Sequence, residues 1–146
     1  MNDKYLHFKT IFSGYGTSKC WSRIRVTLNG VVKDKHGSKA GTYQKASGLI
    51  NGRSYWNKMD GDRALWWDKI NNKWTIGDSS HLGSYTGGIK SVQESACPTS
   101  DNLFKYYDGG KWTLAPINSV SIHRGRGTGE AAASPNFRDL LKGIFQ

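Results

Sequence analysis

The residue types best able to do chemistry in this chain sit together at Asp78-Ser79-Ser80-His81, where a carboxylate, two hydroxyls and an imidazole follow one another. These are the parts of a hydrolytic triad. A triad, however, is assembled across space from residues that separate elements bring together, not from neighbours in one loop. A hydrolase built here would need a concave pocket at this loop. His7, His36, His81 and His123 are scattered and make no recognisable metal-ligand spacing with each other or with the two cysteines. Asp60-Gly61-Asp62 is too short for a calcium loop and reads as a turn. The glycines of 83–88 are followed by no helix, so they do not form a phosphate-cradling loop. The chain is expected to be non-catalytic, with no metal and no cofactor.

The informative features are charge and aromatic rings. The formal net charge is +10. Residues 1–47 hold nine Lys/Arg against two Asp, residues 48–122 hold eight against seven acids, and residues 123–146 hold four against two. The excess lies mainly in the N-terminal third, and a localised basic face suits an acidic partner: nucleic acid, an anionic protein surface or anionic lipid. The candidates for that contact are Lys19, Arg23, Arg25, Lys33, Lys35, Lys39 and Lys45, joined by Arg124 and Arg126 of a short Arg-Gly-Arg-Gly segment. Sequence-independent phosphate contact is the simplest use of such a set. A merely solubilising surface is the competing one.

Six Trp, seven Tyr and five Phe supply the apolar area. Trp56, Trp66, Trp67, Trp74 and Trp112 either fill a core or form an exposed stacking platform, and core packing is expected for most. Adjacent side chains on a strand face opposite ways, so one ring of Trp66-Trp67 points inward and the other outward, or lies under a tail. That pair is the candidate for stacking on a base or a sugar.

Short strands must position these groups. Trp21–Leu28 alternates, with Ile24, Val26 and Leu28 on one side and Arg23, Arg25 and Thr27 on the other. Asn29-Gly30 predicts a type I′ hairpin turn, followed by a charged loop over 33–38 and a strand over 40–45. Further strands are predicted over 54–59, 63–68, 73–77, 89–91, 105–107, 111–114 and 118–123. Turns fall at Asn51-Gly52, Asp60-Gly61, Asn71-Asn72 and Asp108-Gly109-Gly110. The fold class is therefore all-β, a small antiparallel sandwich or barrel of short strands over residues 21-122.

Residues 1-20 read as an N-terminal arm with one short strand at His7–Phe12, and 123-133 as a Gly/Ala-rich linker. Residues 134-146 read as a short C-terminal amphipathic helix opened by Ser134 and Pro135. Phe137, Leu140, Leu141, Ile144 and Phe145 share one face of it, which would dock in a partner's groove or back on the β domain.

Cys20 and Cys97 are too few to define a disulfide framework, and both a single bridge and two reduced thiols stay open. The chain holds no Asn-x-Ser/Thr sequon, its first residues lack the apolar run of a secretory signal, and no stretch reaches transmembrane length. An intracellular setting, cytoplasm or organelle, is expected over a secreted one.

The order NGRSYW, ALWWD, KWTIGD, LGSY, ACP and YDGGKW resembles a small Trp/Gly-rich β module that recurs, often in tandem, in multidomain proteins of marine invertebrates and protists. The resemblance covers roughly residues 23–122. The module has no known activity or cofactor, so the resemblance implies a binding or structural role and carries over no functional residues. A single copy, a basic leading segment and a helical tail depart from its usual pattern.

The expected function is a non-catalytic binding or structural module. It would be an accessory subunit of a larger assembly, docking by its basic face and tails onto RNA, a ribonucleoprotein or an acidic protein filament. The alternative is a secreted, lectin-like recognition module that uses exposed Trp and Tyr and has Cys20 bridged to Cys97.

Overall fold

In a computed structural model, which describes residues 20–98 and 103–126, the alternation of the first strand is realised as read. Strand β1 (Arg23–Leu28) buries Ile24, Val26 and Leu28 and turns Arg23, Arg25 and Thr27 to the other face. The segment after β1 departs from the predicted tight turn. Gly30 does take the left-handed conformation, at φ 59°, but the chain then runs into a short helix, α1 (Gly30–His36), and a 3-10 turn (Gly37–Lys39). The stretch read as a charged loop is thus largely helical. Val32 explains the choice: it is fully buried against the open end of the sheet, a gain on the order of 1.5–3 kcal/mol that a two-residue turn would forgo. Lys33, Lys35 and His36 fall in the last turn, where the helix dipole favours positive charge.

The chain then forms β2 (Gly41–Ile50), β3 (Arg53–Lys58), β4 (Arg63–Asp68), β5 (Lys73–Asp78), β6 (Ile89–Ser91), β7 (Phe104–Tyr107), β8 (Trp112–Leu114) and β9 (Val120–Arg124). A second 3-10 turn spans Ser79–His81. The β2–β3 turn is the one its sequence demands: Asn51 and Gly52 sit at φ 55° and 82°, the left-handed pair of a type I′ hairpin.

Among the described residues all pairings are antiparallel, and the nine strands form one sheet in the order β8-β7-β6-β5-β4-β3-β2-β1-β9. The chain itself forces that sheet to curl. Its edge strands β8 and β9 are joined by Ala115–Ser119 alone, a span of at most about 20 Å. A flat nine-stranded sheet would be about 38 Å across. The result is a curled half-barrel, which realises the all-β, antiparallel expectation.

The concave side holds the core. Trp74 lies at its centre, edge to face with Trp56 (ring centroids 5.8 Å apart) and Trp67 (5.3 Å). Buried indole N–H groups find acceptors: Trp56 Nε1 donates to Trp21 O and Trp74 Nε1 to Ser95 O. Segment 92–98 covers one end of the half-barrel. Ser95 O also accepts from Arg53, whose guanidinium lies 3.7 Å over the Trp67 ring, and Cys97 is bridged to Cys20 just ahead of β1. The bridge is therefore formed, the outcome that composition left open. Helix α1 covers the other end, where the Tyr43 hydroxyl donates to Lys39 O.

The predicted strand His7–Phe12 and the predicted C-terminal helix lie outside the described residues. Among the described residues no helix is long and apolar enough to cross a membrane.

Candidate functional site

The convex side is where exposed rings collect. The loop from Leu82 to Gly88 folds back over the outer faces of β4 and β5 instead of standing in solvent. Two glycines permit this close approach. A Cβ on Gly77 would stand 2.9 Å from Gly87 Cα, and one on Gly87 only 2.3 Å from Thr75 Cγ2. The Trp66 indole N–H then donates to Ser84 O at 2.8 Å.

Trp66 is consequently 0% exposed, and Trp67, packed in the core against Trp74, is 4% exposed, so neither offers a face to a ligand. The two rings do point to opposite sides of the strand. The outward one, Trp66, is covered by this loop, a long-range contact that strand geometry alone does not foretell.

The loop forms one wall of a groove, and the β7–β8 hairpin forms the other. Tyr107 and Trp112 are register partners on that hairpin, with rings 5.6 Å apart and edge to face. Tyr85 stands on the loop side. These rings are 59% (Tyr85), 42% (Tyr107) and 39% (Trp112) exposed. The groove has a volume of about 390 Å³ and is also lined by His36, Asn71 and Lys90. It continues toward Lys73 and Lys105 at its other end.

Lys90 forms the floor. Its ammonium lies 5.8 Å from the Tyr85 ring centroid and 5.4 Å from that of Trp112, donates to Tyr85 O, and sits 3.3 Å from Asp68 Oδ2. Asp68 is buried and fully occupied. It also accepts from Ile70 N, Asn71 N and Asn71 Nδ2, so one carboxylate ties the 69–72 turn to the groove floor. At the far end His36 Nε2 lies 2.7 Å from Tyr107 O. A carbonyl can only accept, so Nε2 carries the proton and Nδ1 accepts from Lys39 Nζ at 3.0 Å. Burial, then the nearby lysines, lower the His36 pKa below the usual imidazole value; burial and Arg63 lower that of Lys39.

The predicted basic set is divided. Arg23 and Arg25 do lie on the outer face of β1, held by Gln44 and Thr42 respectively. Arg23 also donates to Arg126 O, and Arg124 pairs with Ile24 in the β1–β9 register. Lys33 and Lys35 are exposed on α1. Lys39 is turned toward His36, and Lys45 opposes Trp56 across β2 and β3. Lys19 lies outside the described residues, as do Phe137, Leu140, Leu141, Ile144 and Phe145.

At Asp78–His81 the carboxylate caps the 3-10 turn. Asp78 Oδ1 accepts from both Ser80 N and Ser80 Oγ at 3.1 Å, and these donors hold its pKa below the ordinary carboxylate value. Among the described residues no group of three His, Cys, Asp or Glu is placed to hold a metal ion.

No family model, no curated protein and no solved structure matches this chain.

The sequence does not single out the groove residues, although part of the signal is there. In KYYDGGKW the turn at Asp108–Lys111 makes Tyr107 and Trp112 cross-strand neighbours, and alternation puts Tyr106 inward and Tyr107 outward. Tyr85 and Lys90 join them only because the loop folds back.

Proposed function

We propose that this domain is a lectin-like recognition module that binds a glycan in the Tyr85–Trp112 groove. One observation carries the reading. In a fold that buries four of its indoles, three large rings remain exposed around a single groove, beside the polar side chains of Asn71 and Lys90. Stacking suits a sugar: the C–H bonds on one face of a pyranose meet the negative face of an aromatic ring, and a few polar groups at the edge fix its orientation. The Cys20–Cys97 bridge accords with an oxidising, extracellular type of setting, where such bonds persist. The test is a glycan panel read by tryptophan fluorescence, with Trp112→Ala and Tyr85→Ala as controls. Binding by the parent chain that both variants lose supports the reading; binding that survives both substitutions refutes it.

A second reading keeps the basic face as a docking surface for an acidic partner. Arg23, Arg25 and His123 share the outer side of β9 and β1, and the outward residues of these strands and of the neighbouring half of β2 include no acid. Salt titration of RNA binding by an Arg23→Gln/Arg25→Gln variant tests it. An affinity and salt slope unchanged from the parent would remove it.

A further inference from the structure

The register of β6 and β7 sets Lys90 directly opposite Lys105 on the outer face. Like charges directly opposed across antiparallel strands destabilise a sheet. Lys90 is partly relieved by Asp68, but that carboxylate is already shared among four donors. Among the described residues none of Lys73, Lys105 and Lys111 takes part in an ion pair. Asp108, the next residue after Tyr107, is occupied by its own turn, accepting from Gly110 N, Lys111 N and Thr113 Oγ1. Among the described residues the groove therefore has aromatic walls and a positive floor, with no carboxylate beyond Asp68 placed to answer it. The side chain of Lys90 is only 12% exposed, so its charge is poorly screened by water. Among the described residues, two of its three N–H donors are engaged.

We propose that the ligand of this groove is an acidic glycan, one bearing sulfate or carboxylate groups. Its sugar rings lie against Tyr85, Tyr107 and Trp112, and its anionic groups meet the opposed Lys90 and Lys105. This rests on the glycan reading of the groove. An anion bridging Lys90 and Lys105 removes the repulsion that the strand register builds in, so the register favours the bound state over the empty one.

The test uses the full, bridged chain with three probes: a sulfated hexasaccharide, its desulfated counterpart and a single-stranded hexanucleotide, each titrated at 50 and 500 mM salt. The sulfated sugar should bind at least tenfold tighter than the desulfated one at low salt. Two ionic contacts at about 0.7 log unit each should weaken it about 25-fold over the tenfold rise in salt. Lys105→Gln, an exposed substitution, should cost the sulfated probe about two- to fivefold, halve its salt slope and leave the desulfated probe unchanged. Trp112→Ala should weaken both sugars. Equal affinity for the two sugars, or a salt slope untouched by Lys105→Gln, overturns the acidic-ligand proposal while leaving the glycan reading standing. Failure of both sugars to bind ends both readings, and a hexanucleotide that binds tighter than either sugar reassigns the groove to nucleic acid.

Discussion

Removing the Cys20–Cys97 bridge, by a Cys20→Ser/Cys97→Ser double substitution, tests both the architecture and the setting it suits. The bridge spans a sequence separation of 77 and closes across the end of the half-barrel. It links the residue leading into β1 to the segment that supplies Ser95 O to Trp74 and Arg53. Closing a loop of that size withdraws about 15 cal/mol/K from the unfolded chain, equivalent to about 4.5 kcal/mol at 25 °C. Domains of this size are stable by only about 5–15 kcal/mol, so the loss is a large fraction of the total. With an m-value of about 1–3 kcal/mol/M, the urea midpoint should fall by about 1.5–4.5 M. The assay is urea unfolding of parent and double variant followed by tryptophan fluorescence, with intact-mass measurement after alkylation of the native parent. A midpoint shift below about 0.3 M together with two alkylated thiols in the native parent would show that the cysteines are not paired. It would also withdraw the argument for an oxidising compartment.

Three further outcomes are expected. Trp74→Ala should destabilise the domain by about 3–5 kcal/mol, because the ring is buried and packs edge to face on both Trp56 and Trp67; thermal unfolding with near-ultraviolet circular dichroism checks it. Gly87→Ala should lift the Leu82–Gly88 loop, since its Cβ would meet Thr75 Cγ2 at 2.3 Å and Ile76 O at 2.9 Å; Trp66 should then become accessible to acrylamide quenching. His36 is held neutral by burial, with its pKa below the ordinary value of 6.5, so the unfolded chain takes up the proton first. Its contribution to stability should be fully present above about pH 6.5 and decline as the pH falls below it. Urea midpoints between pH 7.5 and 5 should show that decline, and His36→Gln should flatten it.

Much of the strand pattern is legible in the sequence because alternation and turn chemistry are local. Arg63–Asp68 and Ile89–Ser91 appear with the predicted bounds, and Asn51-Gly52 turns as its side chains require. Helix α1 escapes a local reading for the same reason in reverse. Asn29-Gly30 has the local signature of a hairpin, but burial of Val32 at a sheet end that exists only in the folded chain outweighs it.

By itself the sequence determines the antiparallel-strand class, the inward and outward sides of the first strand, and the concentration of positive charge in the first third of the chain. These come from the two-residue period of a strand and from composition. The tertiary structure alone decides the disulfide pairing, the curl that five linking residues impose on nine strands, and which outward rings stay exposed. Trp66 and Trp112 both point away from the core, yet one lies under a returning loop and the other stands in a groove. That difference comes from contacts between residues far apart in the chain, which no local pattern encodes.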